Sequence, residues 1–155
     1  MTPKKEMIER VASRTLEDAA YILASRESDP PDISSWPALG ARLSFASPLE
    51  GYCELWAPSE ITALLATNIL GIAEGSPDAL DLSFDAMTET LNILCGYLMT
   101  EIAQDDPTPS YGMPTRREGI EPFPEGSRGV NVWLASEGHP ILVRACFGNH
   151  THQAA

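Results

Sequence analysis

Asp85, Glu89, Asn92 and Gly96 are the residues of this chain whose types and spacing could do chemistry. They fall in the stretch Asp85-Ala-Met-Thr-Glu-Thr-Leu-Asn-Ile-Leu-Cys-Gly96, which reads as part of a long amphipathic helix. At about 100° per residue, Met87, Leu91, Leu94, Leu98 and Ile102 share the side to be buried. The four polar or small residues gather on roughly the opposite side, within an arc of about 60°. A carboxylate therefore sits one turn from a carboxamide. The carboxylate can meet a cation. The carboxamide both accepts and donates a hydrogen bond, so it can hold one water in a fixed orientation. Glycine costs about 1 kcal/mol relative to alanine inside a helix. Gly96 therefore asks for a reason, and the close approach of another surface is one. A plain solvated helix face is the alternative reading of the same residues.

The elements around this helix are legible in outline. Residues from about Lys4 to Ala24 form a first helix, with Ile8, Val11, Ala12, Thr15, Ala19 and Ile22 on one face. Asp29-Pro-Pro31 opens a loop that runs past Trp36-Pro37. Arg42–Phe45 and Gly51–Trp56 read as strands joined by a short turn, hence a hairpin. Pro58 suits the first position of a second helix that stops at Gly71. Gly75–Asp78 is a loop, and Ser83 is placed to cap the Asn92 helix, which continues to about Gln104. The stretch from Thr108 to Gly126 is rich in proline and glycine and reads mostly as loop, with room for a short extended piece near Pro114. Val130–Leu134 and Ile141–Phe147 form a second hairpin around Glu137-Gly138. Helix, hairpin, helix, helix, hairpin predicts an α+β fold, an antiparallel sheet covered by long helices. A chain of 155 residues is ordinarily one domain, here with its core at about 6–147 and a tail at 148–155.

The spacing D-x3-E-x2-N-x3-G, with Pro114 downstream, resembles the CheX/CheC (CheX-like, CheC/CheX/FliY) chemotaxis phosphatases. The resemblance runs from about Glu6 to Phe147, including the order of helices and strands. Asn92 to Pro114 is one residue shorter than in the CheC pattern. The resemblance implies removal of phosphate from the aspartyl phosphate of a CheY-type response-regulator receiver domain. It implies no cofactor of the chain's own, since the receiver supplies Mg²⁺ and a lysine. Asn92 then positions the attacking water, as a glutamine amide does in GTPases. Glu89 contacts the receiver lysine, Asp85 docks or orients, and Gly96 admits the receiver's loops. The family also implies a homodimer through the sheet. A receiver-binding or flagellar-switch module without turnover is the rival reading, since some switch proteins share the fold family.

The resemblance also implies duplicated helix-plus-hairpin units. Ser13-x3-Glu17-x2-Ala20 on the first helix repeats the spacing of Asp85, Glu89 and Asn92, with alanine where asparagine is needed. Ala20 is expected on the exposed side, and the first helix is expected to hold no second active site.

Composition narrows the rest. With 22 acidic and 10 basic residues the net charge is −12. No cluster of Lys and Arg offers a nucleic-acid or anionic-membrane surface, and a protein partner with a cation-bearing face fits better. Cys53, Cys95 and Cys146 lack C-x-x-C spacing, which supports neither zinc nor a redox pair and suggests buried thiols in a reducing compartment. No signal peptide or spanning segment is visible, so the cytoplasm is expected. His150 and His152 lie in a polar tail and His139 beside a turn, so no metal site is expected. Trp56 and Trp133 read as core or dimer contacts, and Cys95 has no histidine at a spacing that would activate it.

Overall fold

The computed structural model describes residues 3–47, 49–103 and 109–148. In chain order these form α1 (Lys5–Ala20), β1 (Ser25–Arg26), β2 (Leu39–Ser47), β3 (Gly51–Ala57), α2 (Ser59–Leu70), α3 (Asp78–Asp81), α4 (Ser83–Ala103), β4 (Ser110–Tyr111), β5 (Thr115–Arg117), β6 (Arg128–Ser136) and β7 (His139–Phe147). The seven strands make one sheet in the order β1-β6-β7-β3-β2-β4, with β5 also paired to β2. Every pairing is antiparallel. The α+β expectation holds, with both hairpins in place.

The two hairpins meet through their second strands. β3 and β7 lie side by side, with Gly51 opposite Phe147 and Trp56 opposite Leu142. Each long helix covers the other unit's hairpin, α4 over β2 and α1 over β6. This crossed placement relates the two helix-plus-hairpin units symmetrically. Side chains alternate across the sheet as strand geometry requires. Leu43, Cys53, Leu55, Val132 and Val143 point to the helices and join Leu91, Leu94 and Leu98 in the core.

Several boundaries differ from expectation. α1 stops at Ala20, because Tyr21 takes a left-handed conformation (φ 56°) and its N–H closes onto the Glu17 carbonyl at 3.2 Å. The N–H of Ile22 then reaches back to Leu16 at 2.9 Å. This is the closure that glycine usually provides; with tyrosine there, the sequence carries no stop signal. Ala20 is fully buried, not exposed, and Leu16 shares the buried face. Pro58 is the N-cap of α2 rather than its first residue. Ser83 caps nothing: it is the first residue of α4, and its hydroxyl donates back to Ala79 at 2.9 Å. The short helix α3 in front supplies that carbonyl. β1, β4 and β5 are edge strands of two or three residues, too short to show periodicity. His150 and His152 lie outside the described residues.

The sheet's other face is closed by chain rather than by helices. Trp36 packs on Trp133 at 5.0 Å between ring centroids. Phe123 lies over the Arg144 guanidinium at 4.1 Å. A Cβ at Gly129 would overlap the Phe123 ring, so glycine is required there.

Candidate functional site on helix α4

α4 carries the predicted residues as periodicity places them. Met87, Leu91, Leu94 and Leu98 are buried, and Ile102 is half-buried. Asp85, Glu89 and Asn92 are exposed, and Gly96 is half-buried. From Asp85 to Gly96 the arc climbs about 16 Å along the axis. Among the described residues, none of the three polar side chains has a hydrogen bond or an ion pair. Nothing lies within 4 Å of a Cβ built on Gly96. The protein's own packing therefore makes no demand for glycine at that position. Thr88, one turn before Asn92, adds a hydroxyl shielded from solvent without a hydrogen-bond partner among the described residues.

The arc is held from both sides. On one flank α1 is tied to α4 by Arg10, whose guanidinium donates to both Glu101 oxygens at 2.6 and 2.8 Å. Those hydrogen bonds hold the Glu101 carboxyl below its ordinary range. Arg14 lies over the Tyr97 ring at 5.0 Å. On the other flank, nearer Asn92, the Tyr111 hydroxyl donates to the Cys95 carbonyl at 3.4 Å. Pro114 follows on the same edge, half-buried between β4 and β5. Cys95 is fully buried; its contact with the Cys53 thiol and its burial push its own thiol well up, the reverse of what a nucleophile needs.

The surface is open. Clefts of about 470 and 500 Å³ lie elsewhere, and Asp85, Glu89 and Asn92 line neither. An open arc of this kind suits a macromolecular partner better than an enclosed small molecule. Among the described residues no group of three or more His, Cys, Asp or Glu is arranged to hold a metal ion. None of their helices is long and apolar enough to cross a membrane.

Sequence reading missed one polar cluster, on the helix-free face of the sheet. Glu54 is buried and accepts from Arg42 (2.7 Å), Trp56 (3.0 Å) and Arg144 (2.8 Å). Arg144 also donates to Asn131 and to the Glu121 carbonyl. Burial pushes the Glu54 carboxyl up, but the Trp56 hydrogen bond and the two guanidinium groups outweigh it and hold it below its ordinary value. The signal was a charge in the middle of each of two apolar strands, Glu54 and Arg144. Its partners are satisfied from within, so it braces the sheet.

The fold is that of the CheX/CheC-like chemotaxis proteins. The chain is similar to CheX from Borrelia burgdorferi, solved as a CheX–CheY–BeF3–Mg²⁺ complex. The two share 18% identity over 93% of this chain and 97% of that one, with a TM-score of 0.71. It is also similar to a CheC-like superfamily protein from Shewanella sp. PV-4, at 12% identity, 96% and 100% coverage and a TM-score of 0.74. The FliM middle domain from H. pylori is a more distant likeness, at 12% identity, 99% and 97% coverage and a TM-score of 0.52. No protein-family model matches the chain, and no curated protein does.

Proposed function

We propose that this chain is a phosphatase that removes phosphate from the aspartyl phosphate of a CheY-type receiver domain. The observation that carries the reading is the state of Glu89 and Asn92. Both are exposed, both lack partners among the described residues, and they stand one turn apart beside a glycine that internal packing does not require. A fold shared with a protein solved in complex with CheY supports it.

An aspartyl phosphate is already a reactive acyl phosphate. What a partner must add is placement of one water in line with the phosphorus, and positioning dominates such transfers. Asn92 holds that water through an amide that both donates and accepts. Glu89 meets the receiver's lysine, Asp85 orients the docked receiver, and Gly96 leaves room for its loops. Mg²⁺ comes with the receiver, and the chain needs no cofactor of its own. The chain works as one domain with its core at about 6–147, in the cytoplasm, and as a homodimer. The outer edge of β6 suits that last assignment: β1 pairs only with Ala135 and Leu134, so among the described residues 128–132 are paired to β7 on one side and have no strand on the other.

The experiment is dephosphorylation of a panel of phosphorylated receivers from the same cell. A catalyst accelerates phosphate loss from at least one receiver at substoichiometric amounts. The rival reading, a docking module without turnover, is favoured by the likeness to the FliM middle domain. It predicts unchanged loss, or protection in proportion to occupancy.

A further inference from the structure

We infer that Met113, held beside α4 by Tyr111, is an apolar anchor of the receiver-docking surface. This inference rests on the reading of α4 as a receiver-binding helix. Met113 is 84% exposed, the most exposed large apolar residue among those described. A single exposed apolar side chain is ordinary, so exposure alone says little. Its mounting says more. Tyr111 pairs with Phe45 on β2, and Gly112 donates its N–H to Ser44 at 2.9 Å. Thr115, Arg116 and Arg117 then pair with Arg42, Ala41 and Gly40. Met113 therefore sits on a short span fixed to the sheet at both ends, and docking there costs little backbone ordering.

The span also lies where the partner must come. The Tyr111 hydroxyl is bound to the Cys95 carbonyl, next in chain to Gly96 and about 60° around the helix from Asn92. Tyr111 is itself 41% exposed. Met113 is two residues from Tyr111, so its Cα lies within about 7 Å of the residue that touches α4, at the flank of the arc. The resulting surface pairs two unpartnered carboxylates, Asp85 and Glu89, with an adaptable thioether across an open glycine. A receiver that offers a cation from its phosphorylation pocket, with apolar loop residues beside it, matches both halves. Methionine suits such contacts because it is unbranched and polarizable.

The test measures binding of the full chain to receiver domains from the same cell, activated with beryllium fluoride and Mg²⁺. Burying most of an exposed methionine is worth about tenfold in affinity. Met113→Ser should therefore bind about tenfold more weakly, Met113→Leu within about twofold of the unaltered protein, and both should keep maximal turnover at saturating receiver. Asn92→Ala should show the opposite split, with binding kept and turnover lost. Equal affinity of Met113→Ser and the unaltered protein would overturn the anchor while leaving the phosphatase reading standing. Equal loss in the Ser and Leu variants would also overturn it. Failure of the unaltered protein to bind any activated receiver would remove both.

Discussion

Asn92→Ala separates folding from chemistry, because the structure gives the two opposite signs. Asn92 is exposed and, among the described residues, makes no hydrogen bond, so its removal takes nothing from the fold. It lies well inside α4, which spans Ser83–Ala103. Alanine is the better helix former by up to about 0.7 kcal/mol at such a position. The variant should be as stable as the unaltered protein or slightly more so, with a melting temperature higher by about 1–3 °C for a chain of this size. The rate should move the other way. A lost hydrogen bond to the reacting group typically costs about 10²–10³, or roughly 2.7–4 kcal/mol of transition-state stabilisation. Thermal melts followed by circular dichroism and phosphate release from a responsive receiver read the two effects independently. Unchanged turnover in the alanine variant removes Asn92 from the mechanism. A fall in rate that tracks a fall in melting temperature shows instead that Asn92 holds the fold, against its exposure.

Glu89→Gln keeps shape and removes charge, so it should weaken productive receiver binding by about two- to tenfold and flatten its salt dependence; a normal salt dependence and rate would make Glu89 a bystander. On α1, Glu17→Gln should leave phosphatase activity unchanged, because Ala20, in the place of asparagine, cannot hold a water; a fall in activity of the folded variant would reveal a second site. Ala20→Asn should destabilise by about 1–3 kcal/mol in denaturant titration, since it pushes a larger polar side chain into a fully buried position; a loss within about 0.7 kcal/mol would contradict that burial. Glu54→Gln leaves Arg42 and Arg144 without their shared anion and should cost about 3–5 kcal/mol. Glu54 is held below its ordinary value of 4.5, so the unfolded chain takes up the proton first as the solution is acidified. Its contribution is therefore complete above about pH 4.5 and is lost as pH falls through the lowered value. The Gln variant should have a flatter stability profile there, and an equally steep acid loss would assign that loss to other carboxylates.

The sequence by itself determined what depends on local periodicity. The 3.6-residue repeat of Met87, Leu91, Leu94 and Leu98 set the buried face of α4, and thereby the exposed arc of Asp85, Glu89 and Asn92. The alternation in β2 and β6, the apolar runs of β3 and β7 and the two turns set both hairpins, because pleat and turn chemistry are short-range. Gly71 marked the end of α2, where its φ of 73° is one that glycine adopts freely. Tertiary structure decided the rest. α1 ends at Tyr21 in a conformation that tyrosine does not favour, and only the closure onto Leu16 and Glu17 with burial of Ile22 makes it the stop. The same closure puts Ala20 in the core, where the helical wheel alone placed it outside. Glu54 and Arg144 lie 90 residues apart in the chain, and their ion pair exists only because β3 and β7 are neighbours. Tyr111 meets α4 at the Cys95 carbonyl for a similar reason. β4 and β5 are too short to announce themselves, and they are held in place by hydrogen bonds to β2 rather than by any pattern of their own. A local pattern can state which face of a helix is free, but what stands next to that face depends on partners distant in the chain, and only their packing brings them together.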